Sequence, residues 1–224
     1  MNKQQLTVAQ RVKEIETICT SQDLRTLLDN SQTPAGLADA LMVAEYMDRL
    51  GDLITPAVLA SMKSLAGRSV GFEVDKEYPD HVLRDVLIEA GIRGFSLVGN
   101  EFAIIQGKFY PKAAGLRRKL RETKGFKGLK MRPGSPEMKS SGAIVPYEAT
   151  WTMHGQPQVM NCEIPVKINA GMGADAVLGK AERKMLMRIY GEITASDVSL
   201  DEELRDHAEQ LEIAEDYTEE VAAE

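Results

Sequence analysis

Ala143-Ile-Val-Pro-Tyr-Glu-Ala-Thr-Trp-Thr-Met-His-Gly-Gln-Pro-Gln-Val-Met-Asn-Cys-Glu-Ile-Pro-Val-Lys-Ile168 is the stretch on which the fold turns. Val145, Tyr147, Ala149, Trp151 and Met153 recur at every second position, the period of a strand with one buried face. His154-Gly155-Gln156-Pro157 has turn chemistry, and Val159 to Ile168 returns as a second strand. A long hairpin needs a layer against its apolar face. The chain supplies one next: a glycine-rich connection, Asn169-Ala-Gly-Met-Gly-Ala-Asp175, opens a helix of about sixteen residues to Tyr190, with Leu178, Ala181, Met185 and Ile189 on one stripe.

Outward toward the N-terminus, Phe126–Arg132 reads as a short strand, followed by a loop through Pro133-Gly134-Ser135-Pro136 to Ser141. A basic helix is expected at about 112–122. Before it, Phe95–Val98 and Glu101–Gln106 are β-prone runs separated by Gly99-Asn100, a hairpin turn pair. Most of the first 90 residues read as helix. Leu6, Val12, Ile15 and Cys19 share a stripe; Thr33-Pro34 and Thr55-Pro56 each look like an N-cap followed by a first helical residue; and the helix from Pro79 places Val82, Val86 and Leu87 inward, with Gly91 as its stop. Helices, strands, helix, long hairpin and helix in that order give an α+β fold with an antiparallel sheet packed against two basic helices. The expected division is a helical region 1–78, a core 79–196 and an acidic tail 197–224.

The formal charge of −7 conceals a polarised chain. Residues 197–224 carry twelve acids and one base, Arg205, which is −11. Residues 93–139 hold twelve Lys or Arg against Glu101, Glu122 and Glu137, a local +9. A solvated face ordinarily mixes signs. On the basic helix, Ala113, Leu116 and Leu120 fall together, which turns Arg117, Arg118 and Arg121 outward and sets Lys112 and Lys119 on the flanks. Lys108, Lys124, Lys127, Lys130, Arg132 and Lys139 extend the same sign, and on the last helix Lys180, Arg183 and Lys184 occupy the arc opposite the apolar stripe, with Arg188 near its edge. Guanidinium groups fork to phosphate oxygens and stay charged, so a polyanion is the expected ligand. Phe109, Tyr110 and Trp151 are the candidate aromatics for stacking on bases, although residues of this type more often fill a core. Phe109 and Tyr110 alternate along a strand, so at most one of them faces outward.

No run approaches the roughly 18 apolar residues of a membrane span, and the N-terminal MNKQQLTVAQRVKEIE shows no signal core, so a cytoplasmic location without membrane contact is expected. Cys19 and Cys162 stand apart without metal-ligand spacing, which points to reduced thiols, no metal and no cofactor. His81, His154 and His207 have no spaced partner, and neither GxSxG nor a GxxxxGK[ST] loop occurs. An enzyme is not expected.

The run Gly94-Phe-Ser-Leu-Val-Gly-Asn-Glu-Phe-Ala-Ile-Ile-Gln-Gly-Lys-Phe-Tyr110, the Leu/Arg-rich helix after it, and Ala174-Asp-Ala-Val-Leu-Gly-Lys-Ala-Glu-Arg-Lys-Met-Leu186 together resemble the RecT/Redβ class of phage single-strand annealing proteins. Val82–Gly91, Ala103–Gly107, Gly115-Leu116 and Lys180–Arg188 correspond to the parts of that class, over about residues 80–190. A proline that often follows the first glycine there is absent at Phe95-Ser96, and Glu182 interrupts the late basic pattern. The resemblance implies a bacteriophage recombination protein that binds single-stranded DNA, anneals complementary strands without ATP as a homo-oligomeric ring or filament, and works with a host single-strand-binding protein or exonuclease. Two other readings stand beside it: a phage regulatory protein that engages a host protein through its acidic tail, and a nucleotide-binding enzyme that uses the Gly171–Asp175 loop at a helix N-terminus.

Overall fold

A computed structural model describes residues 7–19, 37–139, 142–168 and 172–194. The described residues form a mixed α+β protein in two compact units that divide between Thr123 and Lys124, inside the stretch expected to make a single core.

In the first unit, α1 (Val8–Cys19), α2 (Leu37–Leu53), α3 (Pro56–Lys63) and α4 (Asp80–Ile92) precede a small sheet of β1 (Glu73–Val74), β2 (Phe102–Ile105) and β3 (Lys108–Pro111), and α5 (Ala113–Glu122) closes it. The sheet order is β1-β2-β3, with β1 parallel and β3 antiparallel to β2. Pro56 opens α3 after an extended Thr55, as expected, because a first-turn N–H has no helical acceptor to lose. Thr33-Pro34 lies outside the described residues. Phe72 stacks on Phe102 at 5.1 Å between ring centroids, and Phe95 meets Phe109 edge-on at 5.0 Å, so four rings anchor the core.

Two expectations fail here for one reason. Gly91 does not end its helix; it sits inside α4, and the stop is Gly94 at φ +71°. Phe95 N donates to Ala90 O and Gly94 N to Gly91 O, the paired bonds of a Schellman cap. Phe95 is therefore the apolar residue that seals the cap, and Phe95–Val98 is not a strand. The hairpin lies one step later, between β2 and β3, with Gln106 and Gly107 at φ +53° and +70° in its turn.

The second unit is β4 (Phe126–Pro133), β5 (Glu137–Lys139), β6 (Gly142–Met153), β7 (Gln156–Lys167) and α6 (Ala174–Thr194). β6 is central. β7 pairs along its whole length, from Gly142↔Lys167 to Met153↔Gln156, while β4 and β5 pair in succession along its other edge. Of the loop expected at 133–141, residues 134–136 are irregular as read, 137–139 form β5, and 140–141 lie outside the described residues. His154 and Gly155, at φ +50° and +83°, make a two-residue turn, and Gln156-Pro157 already belong to β7. Pro146 is tolerated in the central strand because it sits opposite the break between β4 and β5, where its carbonyl accepts from Gly134 N at 2.7 Å. Val145, Tyr147, Ala149 and Trp151 are buried as their alternation foretold, and Val177, Ala181, Met185 and Ile189 of α6 are fully buried, with Leu178 only half-buried. Cys162 and Met185 sulfurs approach to 3.3 Å where β7 and α6 pack.

Candidate nucleic-acid interface

α5 exists because Leu116 and Leu120 are buried one turn apart, and Gly115 lets the helix approach the chain before β2. A Cβ on Gly115 would stand 2.6 Å from both Glu101 O and the Phe95 ring. That close approach decides what the arginines do. Arg117 and Arg121 are exposed, as read from the helical wheel. Arg118 is not a surface contact: Nη2 donates to Glu101 Oε2 at 2.7 Å and to Gly94 O at 2.7 Å, Nη1 donates to Glu122 Oε2 at 2.7 Å, and Nε binds Glu101 Oε1. Glu101 is itself buried and also accepts from Ser96 N at 2.7 Å. Hydrogen bonding to Glu101, opposed by burial and aided by Glu122, holds the Arg118 guanidinium protonated even more firmly than usual.

Lys112 is likewise engaged, with Glu73 Oε2 and with Asn100 Oδ1 at 3.1 Å. Lys119 is half-buried with its ammonium beside Gly94, and Lys108 is exposed at the start of β3. Phe109 is 2% exposed and packed among Phe95 and Phe102, with the Arg93 guanidinium 5.5 Å from its ring, so it cannot stack on a base. Tyr110 points to the other side of the strand and is half-buried.

In the second unit the charge is more open. Lys124, Lys127, Lys130 and Arg132 are all exposed and form no ion pair among the described residues. Lys127 pairs with Thr152, Lys130 with Thr150 and Arg132 with Glu148, all on the outward positions of β6. Lys127 and Lys130 are three residues apart and would face opposite sides of a regular strand. A bulge between them, where Gly128 takes φ +67°, returns Lys130 to the outer face. Lys139 is exposed on β5.

α6 departs from expectation. Lys180, Lys184 and Arg188 are half-buried, with Arg188 Nη1 3.4 Å from Glu163 O. Arg183 is buried beside Met187, its Nη1 3.6 Å from the sulfur, so it is a packing residue and not part of an outward arc. Trp151 is buried against Phe126 at 6.3 Å between rings and offers no stacking platform. Of the Gly171–Asp175 loop, Gly171 lies outside the described residues, while Gly173 and Asp175 are exposed at the start of α6.

Sequence reading missed two features. Glu101 is the buried acid that captures Arg118. The other is an open hollow of about 610 Å³ where β4 gives way to β5, lined by Arg132, Pro133, Pro146, Glu148, Asn161 and Glu163. Its only sequence signal was the Pro-Gly-Ser-Pro interruption at 133–136. His81 and His154 are exposed in different units, and no group of His, Cys, Asp and Glu able to hold a metal occurs among the described residues. No helix among those residues is long and apolar enough to cross a membrane. The chain matches no family model, no curated protein and no solved structure.

Proposed function

We propose that the protein binds single-stranded DNA and promotes ATP-independent annealing of complementary strands. The observation that carries this reading is the row Lys127, Lys130 and Arg132: three exposed cations brought to one face of a sheet by a bulge, none in an ion pair among the described residues, with Glu148 opposite Arg132. Arg117 and Arg121 on α5 add two exposed guanidinium groups in the first unit. Annealing needs no group that makes or breaks a bond. Cations neutralise the phosphates of each strand, the repulsion between strands falls, and base pairing selects the partner. The threonines beside the lysines, Thr150 and Thr152, suit the sugar-phosphate chain as hydroxyl donors.

Two measurements test this. A mobility shift on short single strands should show a complex at low salt that weakens steeply at moderate salt. A quenching assay with two labelled complementary strands should show faster pairing with protein than without, in the absence of ATP. Lack of any complex with single strands at low salt overturns the proposal, and binding without acceleration removes the annealing step from it.

A further inference from the structure

We infer that the hollow at the β4–β5 break receives a nucleobase of the bound strand and prefers bases that carry an exocyclic amino group; this rests on the single-strand reading above. The hollow is built by register. Arg132, Glu148 and Asn161 form one cross-strand row, because Arg132 pairs with Glu148 and Glu148 with Asn161, and Pro146 and Glu163 form the next row on the same outer face. Gly134 N bonds Pro146 O at the break, Pro146 supplies an apolar surface on the outer face, and Pro133 and Gly134 border the hollow where β4 ends. At about 610 Å³ the space is of the size that holds small ligands, roughly 300–1,000 Å³.

The side chains of Arg132, Glu148, Asn161 and Glu163 make no hydrogen bond or ion pair among the described residues. Their chemistry chooses between the parts of a nucleotide. Two carboxylates repel a phosphate, so the backbone does not enter. It is held instead by Lys127 and Lys130 on the same face of the sheet. Carboxylates only accept; cytosine, adenine and guanine present an amino group with two N–H donors, whereas thymine presents a single imide N3–H flanked by two carbonyl oxygens that a carboxylate repels. Asn161 can both donate and accept, and Arg132 can donate to ring nitrogens or carbonyls.

The test is fluorescence anisotropy at pH 8 and fixed low salt with labelled oligo(dC) and oligo(dT) of equal length. Oligo(dC) should bind about fivefold more tightly, the low end for one specific base contact. In the double variant Glu148→Gln/Glu163→Gln, checked for an unchanged circular dichroism spectrum, that preference should fall below twofold while oligo(dT) affinity stays the same or rises. Equal affinity for the two oligomers in the unaltered protein overturns the base site, as does a preference that survives the double variant. Free dCMP should fail to displace the strand at micromolar concentration; displacement there would make the hollow a mononucleotide site and overturn a strand-borne base. Failure to bind any oligomer at low salt is a different outcome, and it overturns the single-strand reading together with this inference.

Discussion

Arg118 and Arg121 lie on one short helix and have opposite roles. Every nitrogen of Arg118 is committed to Glu101, Glu122 or Gly94 O, whereas Arg121 is exposed and gives only Nε to Arg117 O. Removing one partner of a buried pair strands the other, so Arg118→Ala should lower the stability of the first unit by about 3 kcal/mol, read as a fall in the urea midpoint. Arg118→Lys should not restore it, because an ammonium cannot bridge two carboxylate oxygens and a carbonyl as a planar fork does. Arg117→Glu with Arg121→Glu should leave the urea midpoint nearly unchanged and weaken single-strand binding. Equal destabilisation by both sets would show that the clamp has been misplaced. The helical wheel turned all three arginines outward, which holds for Arg117 and Arg121; it carries no information about an acid on another element, and Glu101 holds Arg118 in. The same blindness applies to Arg183, which the wheel turns outward and the packing of α6 buries. Asp75 holds the β2–β3 turn by accepting from the backbone N–H of Gln106 at 3.1 Å. Burial pushes its carboxyl upward, yet hydrogen bonds from Tyr78 and from the backbone N–H of Gln106 outweigh that and hold it below the ordinary range. A folded-state value below the unfolded one, about 4, stabilises above that pH and is lost as pH falls through the lower folded value. The hairpin turn at Gln106-Gly107 should therefore loosen under acid, and Asp75→Asn should flatten the stability profile below about pH 4. An unaltered acid limb in the variant would rule Asp75 out as its source.

At the scale of elements, period decides what can be read. The β6–β7 hairpin was legible because alternation runs through most of β6 and through the second part of β7, from Met160, and a one-residue slip would turn Trp151 and Tyr147 out into water. α5 and α6 were legible from their apolar spacing. The sheet of the first unit was legible only in part: Glu101–Gln106 holds β2 and Phe109-Tyr110 lie in β3, but both strands have four residues, and Gly94, Gly99 and Gly107 all adopt positive φ, so sequence alone offers several turns and the Schellman cap takes one of them. The bulge in β4 was equally hidden, yet it fixes the face on which Lys127 and Lys130 appear. If that face carries the strand, each cation contributes about 0.7 to the slope of log K against log salt. Lys127→Ala with Lys130→Ala should then make the slope shallower by about 1.4, while Lys180→Ala with Lys184→Ala, on half-buried positions of α6, should change it less. A larger change from the α6 pair would move the phosphate track to that helix.

At the scale of the whole molecule, an exposed apolar set and an uneven spread of charge along the chain each lead to a prediction. α2 exposes Leu41, Met42 and Met47, an apolar set for which a second copy of the chain is the proposed cover. Leu41→Asp with Met47→Asp should reduce assembly in light scattering, with and without DNA, and assembly unaffected by both charges would place the interface elsewhere. The other feature is charge: residues 197–224 carry −11 and residues 93–139 carry +9. Opposite charges of that size on one chain compete with outside ligands, and a peptide of this length can span tens of ångströms. If the acidic segment lies on those cations, a short DNA strand, with few phosphates, competes with it poorly, whereas a long strand engages enough of them to win. Deleting residues 197–224 should therefore tighten binding of short single strands more than long ones, and should steepen the salt dependence, since more counterions are then released from the DNA by cations no longer neutralised from within. A segment that instead docks a host protein would leave both isotherms as they were. Binding curves for one short and one long strand, measured on the full chain and on the truncated chain at two salt concentrations, separate these outcomes.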